Sequence, residues 1–156
     1  MNICLTKMTP ELCHQFFKNF ANDPAIFAPD QPYYEYQYSE DNVNSYWKKN
    51  QQSNRIHLAI LENDTLVGEI ILKKIDWYHM HCTLSIHMIN DSVKNRGYGT
   101  EAERQAINYA KNILKMKRIY ADTRIPNKRS QHVLEKVGFR RLKQDAEFVY
   151  YSYEIP

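Results

Sequence analysis

The residues of this chain best suited to chemistry begin with KNRGYGTEA, residues 94–102, which places two of the chain's four glycines one residue apart, just before good helix formers. That spacing describes a tight turn entering a helix, whose first N–H groups lack partners inside the helix and whose dipole favours anions. Glycine would let a phosphate approach such backbone unobstructed, although the same residues also suit a plain loop-to-helix junction. Downstream, in NKRSQHVLEKVGF, residues 127–139, Asn127 and Ser130 share one helical face with Val133, Leu134 and Val137. Two residues could accept a proton. Glu69 sits in the otherwise apolar run LVGEIIL, where it either faces a groove with a pKa raised by burial or is paired for structure. His87 ends a later strand run on its polar face, and histidine is the side-chain type that titrates nearest neutrality. For both, a structural role is the alternative. Finally, DQPYYEYQYSED, residues 30–41, carries four tyrosines and four acids with no lysine or arginine. Such a loop suits a cationic amine through charge and cation–π contact, or else packs its tyrosines on the core.

Composition bounds what must hold these residues in place. With 156 residues, 43% of them hydrophobic, the chain is expected to form one domain over residues 1–156. No apolar run is long enough to span a bilayer, and MNICLTKMTPEL lacks a charged region followed by an apolar one, so a cytoplasmic protein without membrane association is expected. Cys4, Cys13 and Cys82 are odd in number and widely spaced, with no Cys-x-x-Cys among them. Neither a disulfide framework nor a metal site is therefore expected. The net charge of +3 is mild, and basic residues are scattered except across residues 111–141. Nucleic acid is permitted by this balance but not called for.

The elements follow from periodicity and punctuation. ICLTKM reads as a strand and PELCHQFFKNFAND as a helix with proline in its first turn. A second helix is expected from about Ser39, its N-cap, to Gln52, with Asn42 where a capping box would place Glu or Gln. IHLAILE and TLVGEIILKKID flank Asn63 and Asp64 as a hairpin. HCTLSIHMI alternates, with Cys82, Leu84, Ile86 and Met88 on one side and Thr83, Ser85 and His87 on the other. The helix after the glycine turn aligns Ala102, Ala106, Tyr109, Ala110 and Ile113 in one stripe. RIYADTR is a further strand, a helix begins at Pro126 and Asn127 and ends at Gly138, and FRRLKQD and EFVYYSYEI close the chain as strands.

KNRGYGTEA paired with NKRSQHVLEKVGF about thirty residues later, in this order of elements, resembles the GNAT family of N-acetyltransferases. More narrowly, it is similar to the branch containing the ribosomal-protein N-terminal acetyltransferases. The resemblance implies an α/β fold with a central mixed, mostly antiparallel seven-stranded sheet, splayed between strands 4 and 5 and flanked by four helices. It also implies acetyl-coenzyme A as cosubstrate, no metal, and direct attack by a primary amine. The acceptor would be a peptide or protein N-terminus, including a ribosomal protein, or a small cationic amine, and the assembly a monomer or homodimer. Two further readings are a silent coenzyme A-binding module and an RNA- or ribosome-associated protein.

Carried onto this chain, the resemblance makes Lys94, Asn95, Arg96, Gly97, Tyr98, Gly99 and Thr100 the pyrophosphate cradle, with Lys94 standing where the family has Arg or Gln. A backbone N–H near His87, Met88 and Ile89 would meet the developing oxyanion. Asn127 and Ser130 would touch the pantetheine arm. The family's tyrosine seven residues after the asparagine is Leu134 here, which leaves Ser130 to meet the departing thiolate. Glu69 and His87 are the candidate bases, beside a water relay with no dedicated base. Tyr33, Tyr34, Glu35 and Trp77 are the candidate acceptor contacts.

Overall fold

The computed structural model describes residues 1–156. Its sheet has seven strands in the order β1-β2-β3-β4-β5-β7-β6. These are β1 (Ile3–Lys7), β2 (Ile56–Glu62), β3 (Thr65–Asp76), β4 (His81–Met88), β5 (Arg118–Arg124), β6 (Arg140–Gln144) and β7 (Phe148–Glu154), with helices α1 (Pro10–Asn19), α2 (Glu40–Lys49), α3 (Tyr98–Asn112) and α4 (Lys128–Val137). Every neighbouring pair is antiparallel except β4 and β5. That parallel pair is in register only from His81↔Arg118 to Thr83↔Tyr120, after which the strands part. The expected order of elements and the splay are both present.

Local chemistry accounts for the elements. Asn63 and Asp64 both take left-handed backbone, φ 48 and 68, which gives the β2–β3 turn the twist of its strands. Ser39 caps α2 by accepting from the Asn42 N–H. Both helices before β2 are shorter than their sequence suggests. α1 stops at Asn19 because tertiary bonds take over: the Ala21 N–H donates to the Ile89 carbonyl, and Asn90 Nδ2 donates to the Asn19 carbonyl.

Strand alternation divides the apolar residues between two layers. One holds 21 buried residues beneath α3 and α4, including Leu58, Ile60, Leu72, Ile119 and Tyr151. The other, beneath α1 and α2, holds seven, including Phe16, Val43, Ala59 and Ile89. Burial of each large apolar side chain contributes roughly 1.5–3 kcal/mol, so these layers fix the sheet against its helices. Ala102, Ala106 and Ala110 are fully buried, which brings α3 close to the sheet. Ile113 departs from the expected stripe and is 64% exposed. Helix α3 has ended by then, and the chain turns through Lys115 at φ 59, burying Leu114 instead.

Candidate active site

A groove of about 390 Å³ opens where β4 and β5 part, walled by the chain after α1, the end of β4, the start of α3 and one face of α4. Gly97 is the N-cap of α3 in left-handed backbone, φ 79, and no side chain caps the helix. The other α-helices are capped by Thr9, Ser39 and Asn127. The N–H groups of Tyr98, Gly99 and Thr100 consequently have no backbone partner, the first helical bond of this end being Glu101 N–H to the Gly97 carbonyl. A side chain at Gly97 would be strained and would meet the Met1 methyl at 3.3 Å. An uncapped helix start beside a groove fits an anionic, phosphate-bearing ligand.

Of the expected cradle, Lys94, Asn95, Gly97, Tyr98, Gly99 and Thr100 line the groove. Arg96 is exposed and off its walls, because the turn points it outward between the left-handed residues Asn95 and Gly97. Lys94 is already paired: its Nζ lies 3.1 Å from Asp23 and 3.2 Å from Asp91, and Arg129 approaches Asp23 at 3.7 Å. Burial opposes the Asp23 charge, but the Ala25 N–H and Lys94 outweigh it and hold this carboxyl below its usual range. On the opposite wall, Asn127 Oδ1 accepts from the Ser130 N–H at 3.2 Å. Ser130 lines the groove and its hydroxyl has no protein partner, while Leu134 is buried in the core.

Glu69 takes the paired form of the two sequence alternatives. It is 1% exposed, and its carboxylate accepts from Tyr46 Oη at 2.6 Å, His57 Nε2 at 2.7 Å and His87 Nδ1 at 3.0 Å. Burial alone would raise its pKa, yet the bonds from His57 and His87 prevail and hold it at about 2, not raised. The anion is felt nearby: the Cys13 thiol is pushed up to about 12, first by burial and then by the Glu69 charge. Gly68 lets β3 and β4 close around this pair, since a Cβ there would lie 2.9 Å from the His87 carbonyl. His87 lines the groove half-exposed, with Nδ1 turned to Glu69 and Nε2 without a protein partner.

The end of β4 sorts its amides by alternation. Ile89 N–H donates to the Val67 carbonyl, so the amides two and four residues earlier also face β3, and those of Met88 and Ile86 face the split. Met88 lines the groove. Ile89 is corrected on both counts, since its side chain lies in the α1–α2 core layer and its amide is bonded.

The expected acceptor contacts do not wall the groove. Tyr33, Tyr34 and Glu35 are exposed, on a loop tied to the chain after α1 by Asn22 Nδ2 donating to the Tyr34 carbonyl. Their ring packing is with Phe27. Trp77 stands at the opposite end of β4, in the turn closed by the Asp76↔His81 pair, and its indole N–H donates to the Ser53 carbonyl. At about 3.3 Å per residue, six residues of strand put that turn roughly 20 Å from His87. The same turn gathers Asp76, His79 and His81, neighbours in the sequence DWYHMH, with ligand atoms within 4.8 Å of one another.

Several groove residues escaped the sequence reading, among them Asp23, Arg129 and, most tellingly, Glu103. Glu103, one turn beyond Gly99 on α3, is 0% exposed, and neither carboxylate oxygen has a partner. Burial pushes its pKa up to about 8. Its spacing from Gly99 and its place beside the alanine stripe were the available signal.

Fold and groove together define a mixed α/β domain whose parting sheet opens onto an uncapped helix start. Residues 2–140 match the family model described as Acetyltransferase (GNAT) domain, and the chain belongs to that family. It is 26% identical over 106 residues to the uncharacterized N-acetyltransferase YnaD of Bacillus subtilis (strain 168), and 28% identical over 128 residues to the probable N-acetyltransferase YjcK of the same organism. These matches cover 67% and 81% of this chain, and 61% and 68% of the two relatives, so less than two thirds of YnaD is spanned. Among solved structures, the spermidine N-acetyltransferase from Vibrio cholerae in complex with CoA and spermine superposes with a TM-score of 0.81 at 15% identity, over 97% of this chain and 95% of that one. A crystal structure of a probable acetyltransferase gives 0.76 at 19% identity, over 97% and 92%. No helix of the chain is long and apolar enough to cross a membrane.

Proposed function

We propose that this chain transfers an acetyl group from acetyl-coenzyme A to a primary amine. The observation that carries this reading is the uncapped start of α3 at Gly97, opening onto the same groove as the Glu69-oriented imidazole of His87. The free N–H groups of Tyr98, Gly99 and Thr100 would hold the pyrophosphate, with Lys94 and Arg129 exchanging Asp23 for phosphate oxygens. Asn127 and Ser130 would face the pantetheine arm. The cosubstrate supplies the activated acyl carbon, and the chain's residues supply placement and proton handling.

In this reading the reacting ammonium first gives one proton to solvent, which frees its lone pair, and His87 Nε2 takes the second as that nitrogen bonds to the thioester carbon, then releases it to solvent. Glu69 does not accept that proton. It fixes the His87 ring and stabilises the imidazolium, and so is a positioning residue. The Met88 N–H, facing the split, meets the carbonyl oxygen as charge builds there. As the carbon–sulfur bond breaks, the Ser130 hydroxyl donates to the sulfur, and solvent returns its proton. The acceptor is a cationic amine drawn by the acidic residues of the 30–41 loop. Neighbours that act on spermidine put polyamines first in an acceptor panel, ahead of peptide N-termini.

Titration calorimetry with acetyl-coenzyme A tests the cradle. Wild type is expected to bind, and Gly97→Val to lose binding while its circular dichroism is unchanged. Normal affinity in that variant would remove the cradle from the account. With an accepted amine in hand, His87→Gln is expected to lower kcat by about 10²–10⁴ with coenzyme affinity kept. A rate within threefold of wild type would assign the proton to water instead.

A further inference from the structure

Glu103 has no task in the chemistry above, yet it lies under the groove in a form that folding alone disfavours. Both oxygens are shielded from water and from every protein donor. A buried polar group left unpartnered is a net cost to the folded chain, and an apolar side chain of similar size would avoid it. Its surroundings offer no counter-charge that acts on it: burial is the sole cause of its shift. The titratable groups sharing the groove are Asp23, His87, Lys94, Tyr98, Arg129, His132 and Lys136, while β1, which also packs on α3, carries only Cys4 and Lys7. The carboxyl is therefore mainly protonated at neutral pH, and a protonated carboxyl is a hydrogen-bond donor.

The geometry points to Glu103 as a ligand-contacting residue, whose carboxylic acid donates a hydrogen bond to a carbonyl or hydroxyl oxygen of the pantetheine arm. This rests on the reading that the groove takes acetyl-coenzyme A. Glu103 stands one helical turn beyond Gly99 and lines the same groove as Ser130 and Val133 of α4, the α3 amides of Gly99 and Thr100, and Met88 at the split. Ligand binding would give the orphaned acid the partner that the fold withholds. As a neutral donor it can sit beneath a polyanionic ligand without repelling it, which an ionised carboxylate could not.

The test is calorimetry with coenzyme A and with ADP, which has the pyrophosphate but no pantetheine, on wild type, Glu103→Leu and Glu103→Gln. Thermal unfolding of each variant confirms that it folds. Glu103→Leu is expected to bind coenzyme A about tenfold more weakly, the effect of one lost hydrogen bond, and ADP within twofold of wild type. Glu103→Gln, which keeps a donor, should restore coenzyme A binding to within about threefold. Between pH 7 and pH 9.5 wild type should lose affinity for coenzyme A more steeply than Glu103→Gln does. If Glu103→Leu binds coenzyme A like wild type, or loses ADP and coenzyme A equally, the contact is refuted while the cradle stands. If wild type binds neither compound, the groove is not a coenzyme site and this inference falls with that reading.

Discussion

Glu69 on β3 and Glu103 on α3 are the same side chain, sealed from solvent to the same degree at 1% and 0% exposure. Burial disfavours the charge of both, yet Glu69 is held at about 2 and Glu103 is pushed up to about 8. The difference is the number of donors: Tyr46, His57 and His87 converge on Glu69, and none reaches Glu103. Burial depth therefore does not decide ionisation in this protein. The supply of hydrogen bonds does, and it leaves an anion bonded to the groove's His87 ring and, in the same groove, a neutral acid that can donate.

The largest test of that contrast is truncation. Glu69→Ala would leave the Tyr46 hydroxyl and His57 Nε2 buried without an acceptor, on the order of 1–3 kcal/mol for each. Glu103→Leu removes a group with no partner and fills its space, and should stabilise the domain by about 1–3 kcal/mol. Urea denaturation at pH 7 reads both. Opposite signs would sustain the comparison, whereas a loss of stability in both variants would mean that Glu103 has a structural partner.

A smaller and sharper test is the pH dependence of stability. Glu69 has a folded pKa of about 2, below its ordinary 4.5, so its contribution is complete above about pH 4.5 and is lost as pH falls toward 2. Glu103 has a folded pKa of about 8, above 4.5, so its contribution is complete below about pH 4.5 and is lost as pH rises toward 8. Glu69→Gln should flatten the acid limb of the stability profile and leave the neutral limb alone, and Glu103→Gln should do the reverse. Both variants acting on the same limb would show that the two carboxyls are coupled.

How far the sequence disclosed these sites follows from the range of the interactions. Gly97, Asn127 and Ser130 act through their own turns and caps, so their spacing exposed them, as it exposed the Asn63–Asp64 hairpin and the order of elements. The partners of Glu69 come from α2, β2 and β4, and only strand register brings Glu69 opposite His87, so sequence could offer pairing merely as one alternative. Trp77 was misplaced for the same reason, because the long β3–β4 ladder carries its turn to the far end of the sheet. Glu103 was hidden differently. An acid within a helix usually reads as part of a solvated face, and only the packing of α3 against α4 and the sheet shows that this one is covered.

The smallest perturbation worth making leaves Glu69 in place and removes one of its donors. Tyr46→Phe deletes a 2.6 Å bond but keeps His57 and His87, so the carboxylate stays ionised at neutral pH, and the stability loss should be about 1 kcal/mol. Its informative readout is the acid limb. With fewer donors the folded pKa of Glu69 must rise, and the fall in stability should begin at higher pH than in wild type. His87 keeps its own bond to Glu69, so a ring oriented by that bond alone should retain activity within a few-fold. If Tyr46→Phe instead abolishes activity as fully as His87→Gln, then His87 is positioned by the whole cluster of donors, and Tyr46 belongs with Glu69 in holding its ring.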